Sequence, residues 1–401
     1  MLRLIIGIVF IFSLLTVAHA QDTIRVMYYN LLNFPDDSPE RIGDLRKILG
    51  YAQPDIFVVC ELQSSEGANL ILNEGLNVWG EDKYEAAEYV DGPYTDNMLF
   101  YNTDVLGFVS QEEIPTDLRD INEYKLYYKS PGLGATSDTI YLNLYGAHLK
   151  AGSGFFNQRK EQAIVLKYHL NSISNAENIF VGGDFNFYSG NESGCLAIRE
   201  TGAVDLFDPI SSIGDWSGNG SYANIHTQST RTAPLADGAG GGMDDRFDLI
   251  FTTADVLDNT NGLEMIDGSY QALGQDGARF NGTINSPYNP TVPDSISSAL
   301  YFMSDHLPVM LDLKTDYTAS LPVDFIQEVN WYYNAINNTL VFNQNITRAN
   351  FTLYALSGKV IYQQVIENSS TISIPAHINS GLFCWNLMQD HALLKGKLLK
   401  Q

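Results

Sequence analysis

The stretch IFVGGDFN, residues 179–186, combines a strand signal with chemistry. Ile179–Val181 is a short apolar run of the kind that fills a buried strand. Gly182 and Gly183 end it, and Asp184 and Asn186 then place a carboxylate and an amide at its tip. The same arrangement recurs along the chain. Asn30 ends the β-prone run Ile24–Tyr29, and Glu61 ends DIFVVC, Asp55–Cys60, which Pro54 bounds. His148 closes YLNLYGA, Asp248 opens DLIFTT, and Asp305 and His306 precede LPVMLDL. Strand ends that meet at one rim can build a site from residues distant in sequence.

Outward from these motifs, Asn97–Tyr101, Tyr141–His148, Phe247–Thr252 and Val309–Leu313 also read as strands, and Arg41–Leu49 and 157–173 read as helices. Strands and helices mix without regular βαβ alternation. This predicts an α/β fold of two mixed β-sheets packed face to face, with helices outside, in four layers, and excludes a Rossmann arrangement. Between Asp215 and Asp245 the composition shifts to Gly, Ser, Asn and Thr, which predicts a long loop over the site or at its rim. Residues 256–300 also read as loop. Residues 21–313 form the expected first domain, 314–322 a linker, and 323–401 a second domain. In the last, short alternating runs separated by Ser357-Gly358 and Asn379-Ser380-Gly381 predict a small antiparallel β-sandwich.

The chain has 401 residues, of which 45% are hydrophobic and 17% charged, ample for more than one core and unlike a disordered chain. Its formal net charge is −24, so long-range attraction to a polyanion is excluded, and any hold on phosphate must be local. Residues 323–401 carry five basic and four acidic residues, so the acidity belongs to the first domain. Residues 1–20 carry Arg3, an apolar run from Ile5 to Val17, and Ala18-His19-Ala20, which is the pattern of a removed signal peptide. The run is short for a bilayer span, so no stable membrane insertion is expected. Cys60, Cys195 and Cys384 form neither a disulfide framework nor a thiolate zinc site.

Taken singly, each strand-end residue is as consistent with a turn, a cap or a structural histidine as with catalysis. Together they supply what hydrolysis of a phosphate ester requires: oxygen ligands for a divalent cation, a base for water, and donors for the phosphoryl oxygens.

In order along the chain, YYNLLNF (28–34), ELQ (61–63), GAHLKAG (146–152), GGDFN (182–186), DRFDLIF (245–251) and SDHLPV (304–309) resemble the endonuclease/exonuclease/phosphatase superfamily, to which pancreatic deoxyribonuclease belongs. The resemblance spans roughly residues 24–313. It implies that Glu61, beside Asn30 and with Asp305, holds the metal, expected to be Mg²⁺ with Mn²⁺ or Ca²⁺ possible. It implies that Asp184 orients or deprotonates water and that Asn186 donates to the phosphoryl group. His306, paired with Asp248, and His148 are implied as the catalytic histidines, with Asp96 in TDNMLFY a candidate partner of His148. Lys150 and Arg231 are candidate phosphate contacts, since guanidinium forks match phosphate oxygens. His169, His226, His377 and His391 are read as structural.

FTLYALSGKVIYQQ, TISIPAHINSGLFCWNL and the basic end LLKGKLLKQ are similar to C-terminal sorting domains of the type IX secretion pathway. That likeness implies passage through the periplasm and outer membrane and removal of the tail, with the secretion machinery as a partner; the alternative is a generic adhesive or carbohydrate-binding β-domain. The expected whole is a secreted, monomeric phosphodiesterase, an endonuclease acting on extracellular nucleic acid. The alternatives are a phosphatase or lipid- or sugar-phosphate phosphodiesterase on the same frame, or a binding protein without catalysis.

Overall fold

The computed structural model describes residues 23–315 and 331–400, apart from 79, 81, 131–138, 175, 236–237, 356–358 and 390–391. The expected signal peptide and most of the linker lie outside the described residues. The chain divides into two compact units, one up to Asp316 and one from Tyr317.

In the first unit the chain fills one sheet, crosses to another, and returns. Strands β1 (Thr23–Phe34), β2 (Ile56–Leu62), β3 (Tyr84–Ala86) and β4 (Asp96–Asn102) belong to the first sheet. Strands β5 (Leu106–Ile114), β6 (Ile121–Tyr128), β7 (Tyr141–His148), β8 (Ile179–Asp184) and β9 (Asp248–Thr252) form the second, in that order. The chain then returns to the first sheet with β10 (Leu263–Met265), β11 (Gln271–Ala272) and β12 (Val309–Thr315), giving the order β10-β12-β1-β2-β4-β3 with β11 on β12. Both sheets are mixed. The pairs β1/β2 and β7/β8 are parallel, and their neighbours antiparallel.

The helices lie outside: α1 (Ile42–Ala52), α2 (Ser65–Leu70), α3 (Phe156–Ser172), α4 (Ser193–Glu200), α5 (Ala254–Asp258) and α6 (Asp294–Met303). Ala163, Leu166 and Leu170 of α3 and Cys195 and Ile198 of α4 share one core with Tyr145, Ala147, Val181, Leu249 and Phe251. These strand residues therefore face outward, and their alternates face the first sheet. The stretch 256–300, read as loop, contains β10, β11 and α6. Ser295, Ser297 and Ser298 dilute the apolar face of α6, although Ile296, Ala299, Leu300 and Met303 are buried.

Two glycines let the sheets close. A Cβ at Gly182 would lie 2.6 Å from the Tyr28 ring, and one at Gly146 would lie 3.0 Å from Val58. The Tyr28 hydroxyl donates across the interface to Phe180 O at 3.2 Å. Gly183, with φ +132°, has the Ala147 carbonyl where a Cβ would stand.

The second unit is all β: β13 (Trp331–Asn334), β14 (Thr339–Ala355), β15 (Val360–Ser373), β16 (Gly381–Gln389) and β17 (Ala392–Lys400). It is one continuous antiparallel sheet, order β13-β14-β16-β17 with β15 on β14. The β14/β15 register shifts between Val341 and Ile346. Trp331 of β13 meets Trp385 of β16 at 4.8 Å, although those strands do not pair. The sandwich is thus made by one sheet closing over its own aromatic core. Among the described residues, no helix is long and apolar enough to cross a membrane.

Gly182→Ala is expected to cost about 1–3 kcal/mol, the range for overpacking a close contact, read as a lower urea midpoint. Trimming the ring in a Tyr28→Ala background should shrink that cost. An equal cost in both backgrounds would mean that the Tyr28 contact is not what excludes the methyl.

Candidate active site

The period of two that sets the sheet contacts also sets the site. Asn30, His148 and Asp184 lie two residues beyond Tyr28, Gly146 and Gly182, and so on the same inner faces. Register brings them level: His148 pairs with Asp184 across β7/β8, and Asp184 with Asp248 across β8/β9. Asn30 pairs with Cys60 across β1/β2, which puts Glu61 next along. Glu61 has φ +58° and Asn186 φ +53°, a conformation that costs a non-glycine residue on the order of 1 kcal/mol and is held by its surroundings.

One oxygen lies at the centre. Asp184 Oδ2 accepts from Asn30 Nδ2 at 3.0 Å, with His148 Nε2 at 3.5 Å and His306 Nε2 at 3.7 Å. Its other oxygen accepts the Asn186 N–H at 3.0 Å, closing the GDFN turn. Asn30 Nδ2 also donates to Glu61 Oε1 at 2.9 Å, and Asn33 N–H holds Glu61 Oε2 at 3.0 Å. His148 Nε2 stands 3.7 Å from Glu61 Oε1. His306 Nδ1 lies 2.8 Å from Asp248 Oδ2. Ser304 fixes the last segment, donating to Asn30 O and accepting the His306 N–H.

Burial first, then Asp248 and Glu61, raise the Asp184 carboxyl to about 7 against the pull of His306 and Asn30. Burial also holds His148 well below the ordinary histidine value, helped by Arg119, His306 and Lys150. Burial would lower His306 too, but Asp248, Asp184 and Asp305 outweigh it and raise it well above that value. The two histidines are therefore set apart, one neutral and one disposed to carry charge.

The structure departs from expectation at two residues. Asp96 does not reach His148. It accepts from Tyr89 OH at 2.5 Å and Gly92 N at 2.9 Å, closing its own loop, while His148 Nδ1 has no partner among the described residues. Asn30 turns its amide nitrogen to the carboxylates, and its oxygen accepts the Leu32 N–H at 2.9 Å. Two carboxylates within reach of one amide draw its donor side, so Asn30 braces Glu61 and Asp184 here. Lys150 keeps to the rim with its ammonium 4.4 Å over the Phe155 ring. Arg231 is buried. His169 pairs with Glu123, and His226 contacts Trp216 O at 2.8 Å.

Two residues were not read from the sequence. Gln228, in the polar loop, has Nε2 3.0 Å from Asp305 Oδ2 and 2.6 Å from His306 Nε2. In that orientation His306 accepts and is neutral. The imidazolium needs the amide turned, which removes the donor from Asp305. Arg119, at the end of the β5–β6 loop, bears on His148 electrostatically, and its Nη1 is buried without a partner among the described residues. The loop signal between 215 and 245 was the cue that Gln228 offered; Arg119 offered none.

Ligand atoms of Glu61, His148 and Asp184 lie within 4.8 Å of one another, as do those of Asp184, Asp248 and His306. Asp305 Oδ1 and Asp248 Oδ1 are buried without hydrogen-bond partners among the described residues. This is a hard-oxygen and imidazole set that fits a divalent cation.

No family model and no curated protein matches the chain. Solved structures similar to it include D. rerio TDP2 complexed with single-strand DNA product, at 14% identity over 74% of this chain and 100% of that one, TM-score 0.49. Another is an endonuclease/exonuclease/phosphatase family protein from Bacteroides thetaiotaomicron, at 15% identity, 74% and 99% coverage, TM-score 0.45. A third is a mannosyl-6-phosphatase from Bacteroides thetaiotaomicron, at 16% identity, 72% and 99% coverage, TM-score 0.44.

The raised Asp184 carboxyl has a stability consequence. With chelator present, the folded state keeps that proton up to about 7, whereas an ordinary carboxyl releases it near 3.8. Between those values the folded state binds more protons, so this contribution to stability declines as pH rises. Urea unfolding at a series of pH values should show wild type losing stability relative to Asp184→Asn across that window. A difference that stays flat would contradict the assignment.

Proposed function

We propose that the chain is a secreted, divalent-cation-dependent phosphodiesterase of the endonuclease/exonuclease/phosphatase superfamily, acting on extracellular nucleic acid. The observation that carries this reading is the single Asp184 oxygen that faces Asn30, His148 and His306 together. Glu61 and Asp305 would hold the cation, Mg²⁺ or else Mn²⁺ or Ca²⁺, with Asn30 beside them. When bound, it neutralises phosphoryl charge and makes water more acidic.

Asp184, whose Oδ2 stands level with Asn30, His148 and His306, is the residue to orient water and take its proton. His306, braced by Asp248 and charged once Gln228 turns its amide, stabilises a phosphoryl oxygen. His148, neutral, exchanges a proton at the same centre, and Asn186 donates its amide to the phosphoryl group. The net charge of −24 supports a second reading, hydrolysis of a small lipid or sugar phosphate, since such a surface repels a long polyanion. The purified chain assayed with Mg²⁺, Mn²⁺ or Ca²⁺ on plasmid, RNA, sphingomyelin and inositol phosphates separates the two. Inactivity on every ester would instead favour a binding protein.

His306→Ala and His148→Ala should each lose activity by about 10²–10⁴-fold, the scale of a positioned histidine in proton transfer, with little change in stability. The double variant Asp248→Asn/His306→Ala should be little worse than His306→Ala alone, because the two act as a unit. Fully additive losses would sever Asp248 from His306.

The signal-like residues 1–20 and the sorting-like tail support export through the type IX machinery. Deleting 323–401 should trap an active protein in the periplasm of a host that has this machinery. Undiminished release into the medium would remove the tail from that role.

A further inference from the structure

Four arginines of the first unit are almost wholly buried: Arg159, Arg231, Arg246 and Arg279. Three pair with a carboxylate, Glu192 at 2.6 Å, Asp208 at 2.9 Å and Asp276 at 2.6 Å respectively. Arg231, 1% exposed, has no such partner among the described residues. Its Nη1 donates to Leu235 O at 3.3 Å, and the guanidinium lies over the Tyr301 ring at 5.9 Å. Its Nε and Nη2 are closed off from solvent and have no hydrogen-bond partner among the described residues. A buried guanidinium with open donors is costly and is relieved by an anionic acceptor.

Arg231 lines a cavity of about 350 Å³ together with Leu32, Asn33, Arg41, Leu235 and Phe302. The guanidinium of Arg41 is committed to the wall, donating to Leu31 O, Leu32 O and Met303 O. Phe302 and Leu235 are 48% and 41% exposed and give the cavity an apolar side. Three carboxylates also line the cavity: Asp36 and Glu40 are exposed and screened by solvent, and half-buried Asp44 is paired with Lys47 at 2.8 Å, whereas the charge of Arg231 is buried. The cavity shares a partition with the catalytic residues. Leu32 N–H and Asn33 N–H hold Asn30 Oδ1 and Glu61 Oε2. Gly238 sits where a Cβ would be 3.0 Å from Leu32 and 3.3 Å from Asp305.

We infer that this cavity is a subsite for a second phosphate of the substrate, gripped by the spare donors of Arg231 once its guanidinium turns from the wall into the cavity, with the group that carries the phosphate laid against Phe302 and Leu235. The inference rests on the phosphodiesterase reading of the adjacent site. It narrows the substrate class to molecules that carry a second phosphate besides the one at the catalytic residues. Both a polynucleotide and a bisphosphorylated sugar have that chemistry.

The test has two independent readouts on the full chain. First, calorimetric titration of the protein in chelator with inorganic phosphate should show binding that weakens about tenfold or more in Arg231→Gln, the scale of a hydrogen bond to a charged group. Arg231→Lys, which keeps the charge and loses the fork, should fall between. Thermal melts check that both variants fold. Second, the ratio of kcat/KM on a short oligonucleotide to that on bis(p-nitrophenyl) phosphate, which lacks a second phosphate, should drop about tenfold or more in Arg231→Gln. Competition by a sugar bisphosphate or by a dinucleotide with a terminal phosphate then identifies the source. No phosphate binding by wild type, equal binding by Arg231→Gln, or an unchanged ratio would each overturn the subsite. Inactivity of wild type on both esters would sink the catalytic reading, while the phosphate titration would still decide the subsite.

Discussion

The contact of the Tyr28 ring with the bare backbone of Gly182 is the constraint on which the first unit depends. It sets how near the two sheets come, and the period of two then decides what stands at their rim. Asn30, His148 and Asp184 are each two residues past such a contact, so the spacing that packs the core also brings amide, imidazole and carboxylate within hydrogen-bond range. A methyl group at Gly182 would act on the core and the site together. The GGDFN glycines are therefore packing residues first, and the chemistry follows from the packing.

The sequence was most legible where burial is complete. β2, β8 and β9 are buried apolar runs with polar groups only at their ends, β7 is interrupted by Asn143 and β12 by Asp312 and Lys314, and the residues at their tips converge. β5 and β6 were not read, because Glu112, Glu113, Asn122 and Glu123 interrupt their apolar pattern on a partly solvated sheet. α6 was hidden by its serines. At the site, strand-borne residues were visible because a polar group after an apolar run is conspicuous. Gln228 sits in a Gly/Ser/Thr-rich stretch with no period, and only the folded chain shows it between Asp305 and His306. Asp96 erred for a different reason. It opens a strand opposite Leu62, and nothing in TDNMLFY says that its carboxylate turns back to Tyr89 and Gly92.

Strands and loop divide the work. Strand ends carry Glu61, His148, Asp184 and Asp248, whose positions are locked by register. The loop after Asp215 is stitched to them by short-range bonds: Thr227 Oγ1 accepts the Asp248 N–H, Thr230 N–H donates to Asp305 O, and Ala239 N–H donates to Asp305 Oδ2. The same loop carries Arg231 into the neighbouring cavity. The loop thus joins the strand-borne residues to the wall of the cavity.

The return of the chain to its first sheet has a consequence for timing. β12 pairs with β1 along Thr23–Tyr28, so the last strand of the unit to be synthesised completes the neighbourhood of the first. Asp305 and His306 arrive just before it. A nascent or truncated chain that stops short of residue 305 lacks both residues and leaves β1 with an open edge. Its reactive centre stays unassembled until almost the whole unit has left the ribosome. Synthesis order therefore leaves the site of a half-made chain incomplete.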